Sequence, residues 1–280
     1  LRMFRSAFNK LSSLNLLKSA KFRNMSQLQG KLSGKVAVVT ASTEGIGFAI
    51  AKRLANDGAS VVISSRKKDK VEKAVSEIKA ITDQVAGIPC HVGKQEDRKL
   101  LLDFAVAKYG GIDILVSNAA VNPVMCQVLD TPEEAWDKIF DTNVKATFLL
   151  TQAAVPLIEK RGGGAIVYVS SIAAYKPMEV IGAYSVSKTT LLGLTKAVAA
   201  QCTSMNIRVN CLCPGIIDTK FSSSLTSADS SNEILNQTIP MRRVGKPDEC
   251  AGIVSFLCSD DASYVTGESF VVAGGYYSRL

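Results

Sequence analysis

Apolar positions along the 280-residue chain follow two alternating rhythms. Short runs apolar at nearly every position read as strands: "KVAVVT" (35–40), "SVVISS" (60–65), "VAGIPCHV" (85–92), "IDILVSNAA" (112–120), "GAIVYVSS" (164–171), "IRVNCLCPG" (207–215) and "ESFVVAGG" (268–275). Between them lie stretches with helical spacing, including "GIGFAIAKRLANDG" (45–58), "DKVEKAVSEIKA" (69–80), residues 134–158, "AYSVSKTTLLGLTKAVAA" (183–200) and "PDECAGIVSFLCS" (247–259). Strands without a polar face, alternating with helices, require a parallel sheet covered on both sides. No repeat or linker divides the pattern. It predicts one doubly wound α/β domain over 30–277, with the Ser-rich stretch 221–240 as a flap over a site.

Composition refines this picture in three places. The chain is 47% apolar, enough for a large core, and has no run of about 18 apolar residues that would span a membrane. The net charge of +8 suggests a nucleic-acid partner until its location is noted. Eight basic side chains and no acid fall within residues 1–35, and the other 25 basic groups are matched by 25 acids. The body is neutral, which argues against nucleic acid. The leading segment 1–29 mixes Arg, Ser and Leu as transit peptides do, although leader sequence before Met3 or Met25 would look the same.

The seven cysteines are scattered among apolar neighbours, which fits a reducing compartment better than a disulfide framework. Cys211 and Cys213 have no second pair with which to close a zinc site, so no metal is expected. With His91 the single histidine, acid–base work must fall to other groups.

The first strand runs into "TASTEGIG" (40–47) and then a helix, the context in which a glycine turn cradles a pyrophosphate at a helix N-terminus. Gly45 and Gly47 can serve the close approach to phosphate and the packing of helix on sheet. Ala41 stands where the tight turn usually has its first glycine, and an ordinary negative φ is expected there. At the end of the second strand, where an acid would accept from the ribose of NAD, the chain has Ser65, Arg66 and Lys67. A guanidinium can grip a 2′-phosphate through several donors, which favours NADPH; a solvated basic loop is the alternative.

Tyr184 and Lys188 are four apart on one helix face. A phenol is a poor acid or base at neutral pH, and a nearby ammonium draws its pKa toward the working range. Such a pair can protonate a carbonyl oxygen as hydride arrives. Ser171 ends a strand thirteen residues before Tyr184, and "SNAA" (117–120) and "CPGIIDT" (213–219) end two others, at the sheet edge where parallel sheets bind ligands.

Taken in order, "TASTEGIG", "NAA", Ser171, Tyr184-x-x-x-Lys188 and "PG" resemble the short-chain dehydrogenase/reductase family over residues 30–277, a single-domain Rossmann fold. "SNAAVNP", "VSSIAA", "ECAGIVSFLCS" and "DASYVTGE" are more narrowly similar to the peroxisomal NADPH-dependent carbonyl and retinal reductases of that family. The resemblance implies Tyr184 as catalytic acid and Lys188 as its tuner and ribose ligand. It further implies Ser171 as the substrate-oxygen donor and Asn143 as holder of a relay water. It places the cofactor NADP(H) on Ala41, Ser42, Gly45, Ile46, Gly47, Arg66, Val92, Asn118, Ala119, Pro214, Gly215, Ile217 and Thr219. His91 replaces the family's usual Asp beside the adenine, so it is either an altered adenine contact or a packing residue.

The loop 172–182, with Tyr175, Met178, Val180 and Ile181, suits a hydrophobic ketone or aldehyde as substrate. The resemblance also implies a homotetramer. Ser278-Arg279-Leu280 has the form of a peroxisomal address, while the leading segment would argue for mitochondria. Against the NADPH-dependent carbonyl reductase stand an NAD-linked alcohol or hydroxysteroid dehydrogenase, which Arg66 disfavours, and a non-catalytic dinucleotide sensor. A pure sensor has no need of the Asn–Ser–Tyr–Lys set.

Overall fold

The computed structural model describes residues 30–222 and 238–276. The leading segment 1–29, most of the expected flap (223–237) and the terminal tripeptide 278–280 lie outside the described residues.

The runs expected to be strands form one parallel sheet. They are β1 (Val36–Val39), β2 (Ser60–Ser65), β3 (Val85–Pro89), β4 (Ile114–Ser117), β5 (Gly164–Val169), β6 (Ile207–Pro214) and β7 (Ser269–Val272), in the order 3-2-1-4-5-6-7. The helices between them are α1 (Gly45–Asn56), α2 (Lys68–Lys79), α3 (Gln95–Tyr109), α4 (Glu133–Phe140), α5 (Ala146–Lys160), α6 (Gly182–Cys202) and α7 (Pro247–Cys258).

Alternation along the strands assigns each helix to a side. Ala37, Val39, Val61 and Ile63 share a core with Ile50 and Leu54 of α1, Val71 and Ile78 of α2, and Val254 of α7. Val38 and Val62, one residue out of phase, share the other core with Leu101 of α3, Leu150 of α5 and Ala199 of α6. Each such fully buried Val, Leu or Ile contributes about 1.5–3 kcal/mol, so both faces of the sheet are anchored. Strand order reverses between β1 and β4, which opens a crevice at the carboxyl ends of the strands.

The structure departs from the pattern in two places. The third strand stops at Pro89 rather than running to residue 92. The His91 N–H is taken by the Asp97 carboxylate at 2.7 Å, and a turn closes from Lys94 N–H to the His91 carbonyl. Between α4 and α5, Asp141–Lys145 forms a π-helical turn, with Thr142 and Asn143 buried. Apolar spacing does not register one extra residue in a turn. Among the described residues no helix is long and apolar enough to cross a membrane, and no group of His, Cys, Asp and Glu could hold a metal.

Candidate active site

The connections leaving β1 to β6 wall a cleft of about 1130 Å³. Into it come Ala41, Gly45, Ile46 and Gly47 after β1, Ser65 at the end of β2 with Arg66 and Lys67 after it, and His91 and Val92 after β3. Asn118 and Ala119 follow β4, Ser171 follows β5, Tyr184 and Lys188 come from α6, and Pro214 ends β6 with Gly215, Ile217 and Thr219 after it. Ser42 and Asn143 are fully buried and do not line the cleft.

The first turn corrects one expectation. Ala41 has φ +48°, in the left-handed region, not the ordinary negative value. Three bonds hold the backbone there. The Ser42 N–H donates to the Ser64 carbonyl at 2.9 Å, and the Asn118 amide donates to the carbonyls of Thr40 and Ala41 at 3.1 and 3.0 Å. The turn dictates the angle, and Ala, with the smallest L side chain, bears a strain of roughly 1–2 kcal/mol. Gly45 also has positive φ, +60°. Gly47 is needed for space: a Cβ there would lie 2.4 Å from the Ala41 carbonyl oxygen and 2.4 Å from the Asn118 amide nitrogen. The Ser42 hydroxyl is engaged inside the turn, donating to the Val39 carbonyl at 2.6 Å and accepting from the Ser64 N–H at 3.0 Å. Thr40 was not singled out by the sequence, yet its hydroxyl accepts from the N–H groups of Asn118 and Ala119 at 3.0 and 3.2 Å. It ties the ends of β1 and β4 together.

A dinucleotide fits this wall. The α1 N-terminus opens onto the cleft between Gly45 and Gly47, and the Ser65 hydroxyl is buried without a hydrogen-bond partner beside Arg66. An orphaned buried hydroxyl at this edge calls for a ligand oxygen. The His91 Nδ1 accepts from the Gly93 N–H at 3.1 Å, so the imidazole both braces its loop and faces the cleft.

At the other end, Lys188 is 2% exposed, and its ammonium donates to the Val169 carbonyl at 2.7 Å. It lies 5.5 Å from the centre of the Tyr184 ring. Burial pulls its pKa down to about 8. Burial pushes the Tyr184 phenol above its ordinary value, and the Ser171 hydrogen bond opposes this only in part. Desolvation is the largest influence on the phenol and acts in the direction opposite to that of a nearby ammonium. The Ser171 hydroxyl also accepts from the Ala173 N–H at 3.1 Å, which caps the short turn Ile172–Ala174. Neighbouring Ser170 donates to the Lys188 carbonyl at 2.7 Å, a structural task.

Asn143 works from behind. Its amide oxygen accepts from the Val121 N–H at 2.8 Å, and its nitrogen donates to the Val121 carbonyl at 3.1 Å and the Ser187 hydroxyl at 3.0 Å. Ser187 in turn donates to the Tyr184 carbonyl at 2.7 Å. This chain through Ser187 has no sequence signal, since Ser at that position is an ordinary helix residue. Of the four apolar loop residues, Met178 and Ile181 line the cleft. Tyr175 packs, partly buried, against the core on the α3, α5 and α6 side of the sheet and Val180 is exposed, because the loop's short turns rotate them away. Phe221, not anticipated, stacks obliquely on Tyr184 with ring centres 5.6 Å apart. All seven cysteines are free, and the Cys211 and Cys213 sulfurs are 4.0 Å apart.

Comparison with known proteins gives the chain's relatives. A family model described as enoyl-(acyl carrier protein) reductase matches residues 40–277. The chain is 59% identical over 249 residues to dehydrogenase/reductase SDR family member 4 of Bos taurus, covering 89% of each. It is 51% identical over 252 residues to human dehydrogenase/reductase SDR family member 2, mitochondrial, covering 90% of this chain and 89% of that one. The crystal structure of a short-chain type dehydrogenase/reductase from Mycobacterium marinum superposes with a TM-score of 0.83 at 34% identity, covering 89% of this chain and 98% of that one.

Proposed function

Because this chain belongs to the short-chain dehydrogenase/reductase family of NAD(P)-dependent oxidoreductases, we propose that it is an NADPH-dependent carbonyl reductase acting on hydrophobic ketones, dicarbonyls or retinal-like aldehydes. The observation that carries the reading is the shared cleft: Ser171, Tyr184 and Lys188 meet at one end, and Arg66 with the orphaned Ser65 hydroxyl stands at the other.

A reduced nicotinamide, when bound, supplies the hydride. The chain's own groups manage the oxygen and the proton. Ser171 and Tyr184 hydrogen-bond the carbonyl oxygen, and the phenol gives its proton as negative charge develops there. Burial keeps that proton on Tyr184 until it is needed. The Lys188 ammonium, held on the Val169 carbonyl, stabilises the phenolate left behind. Asn143 fixes Val121 and, through Ser187, the backbone of Tyr184. Pro123, Met178, Ile181 and Phe221 supply an apolar wall for the substrate body. Run in reverse, the same groups oxidise an alcohol.

The test is a panel of ketones, dicarbonyls and aldehydes, followed by the absorbance of NADPH and, in parallel, NADH. Turnover with NADPH exceeding that with NADH supports the reading. Faster turnover with NADH would assign the chain to the NAD-linked dehydrogenases. The same reading keeps a homotetramer, checked by light scattering, and a peroxisomal address in Ser278-Arg279-Leu280, checked by import of a fluorescent fusion.

A further inference from the structure

Beside Arg66 and Lys67, a third basic group at the β2–α2 connection lines the cleft: Lys70, in the first turn of α2. It is engaged with Glu44, the residue that opens α1. The Lys70 ammonium lies 3.3 and 3.1 Å from the two Glu44 oxygens, and Lys220, following β6, approaches one of them at 3.3 Å. A carboxylate on the wall of a phosphate-binding cleft is an anomaly, because its charge opposes that of the ligand. Here two ammonium groups neutralise it. Burial raises the Glu44 pKa, but the two lysines outweigh that and leave it below the usual carboxylate range, so it stays ionised.

Resting on the NADPH reading above, we propose that Lys70 is a further specificity-determining residue, held on Glu44 and transferred to the 2′-phosphate of the dinucleotide. Three observations carry this. Lys70 lies in the first turn of α2, four residues beyond Arg66, and both line the cleft. The buried, unpartnered Ser65 hydroxyl marks that wall as the place where a ligand oxygen is received. The Lys70–Glu44 pair is exposed enough to exchange, with side chains 38% and 47% accessible. Half-exposed pairs of this kind are weak, because water screens them. A phosphate dianion offers a stronger charge-assisted acceptor, so transfer is favourable. Glu44 then acts as the holding group: it keeps Lys70 at the rim and competes with the phosphate for it.

Calorimetric titration of the full chain with adenosine 2′,5′-bisphosphate and with 5′-AMP isolates the 2′-phosphate, without hydride transfer. The wild type is expected to prefer the bisphosphate. Lys70→Gln should weaken the bisphosphate about fivefold and leave 5′-AMP within about twofold, the size of one charge pair at a half-exposed site. Lys70→Arg should restore most of the loss, and Glu44→Gln should tighten the bisphosphate. Preference for the bisphosphate in the wild type, undiminished in Lys70→Gln, would overturn the inference and leave the NADPH reading intact. Equal weakening of both ligands would also overturn it, assigning the pair a purely structural role. No preference in the wild type would remove the NADPH reading itself, and this inference with it.

Discussion

The Lys188 ammonium lies 5.5 Å from the centre of the Tyr184 ring, one helical turn further along α6, and the two are shifted in opposite directions by the same cause. Burial disfavours charge, so it raises the phenol and lowers the ammonium to about 8. On raising the pH, the lysine is therefore the first of the pair to titrate. Below about 8 it is charged and can stabilise a phenolate; above 8 that support is lost. With saturating NADPH, kcat/KM for ketone reduction is expected to be flat up to about pH 8 and then to fall, approaching tenfold per pH unit. Lys188→Met should remove this limb and lower the rate by about 10²–10⁴. A profile that keeps its alkaline limb in Lys188→Met would show that another group titrates.

The same burial gives a stability prediction of the opposite sign. Between about 8 and 10.5 the folded protein has released the Lys188 proton while the unfolded chain still holds it. The unfolded state binds more protons, so this group makes the protein more stable as pH rises through that window. Chemical denaturation of the wild type and Lys188→Met at about pH 7 and 10 isolates the term. The stability of the wild type relative to Lys188→Met should rise from the lower pH to the higher.

The sheet was legible because period-two and period-3.6 patterns are strong where both faces of a strand are buried. Every expected strand and the helix Gly182–Cys202 lie within a few residues of their predicted bounds. What escaped was local. The φ of Ala41 depends on bonds from Ser64 and Asn118, which are far away in sequence. The π turn at Asn143 adds one residue without disturbing the apolar face. Tyr175 and Val180 turn away from the cleft because short loop turns, not periodicity, aim their side chains. The rise of the Tyr184 pKa comes from packing density, which residue spacing does not encode.

Strain at Ala41 is directly testable. Glycine occupies φ +48° without penalty, at the cost of greater freedom in the unfolded chain. Ala41→Gly is expected to gain up to about 1 kcal/mol, a melting temperature higher by about 1–4 °C, with NADPH affinity within about twofold. A fall in melting temperature would mean that the Ala41 methyl group contributes packing greater than its strain.

Arg66 provides the simplest check of the phosphate end. Its substitution Arg66→Asp replaces a fork of donors by a repelling carboxylate beside the Ser65 hydroxyl. The expected result is NADPH affinity lower by about 10–100-fold, the magnitude of one or two charge-assisted bonds, with NADH affinity little changed. Fluorescence titration with both nucleotides reads the effect. Equal loss for both would place Arg66 on a part of the cofactor that they share.

Gly45 and Gly47 separate two ways in which a glycine can be required. At Gly45 an added Cβ meets only the Thr219 methyl, at 3.2 Å, and the difficulty is its φ of +60°. Ala41 shows that this turn accepts an alanine at positive φ. Gly45→Ala should therefore cost about 1–2 kcal/mol of stability and retain measurable NADPH binding. At Gly47 the backbone angle is ordinary, and the obstacle is the Ala41 carbonyl oxygen and the Asn118 amide nitrogen, each 2.4 Å from the new carbon. Neither can yield without breaking the bond between them, which holds β4 to the first turn. Gly47→Ala should lose at least about 1–3 kcal/mol by overpacking, and more than tenfold in NADPH affinity as the turn opens. Melting curves and nucleotide titrations of the two variants side by side check the order. If Gly45→Ala proves the more damaging, then conformational freedom, not clearance, is what the turn chiefly needs from its glycines.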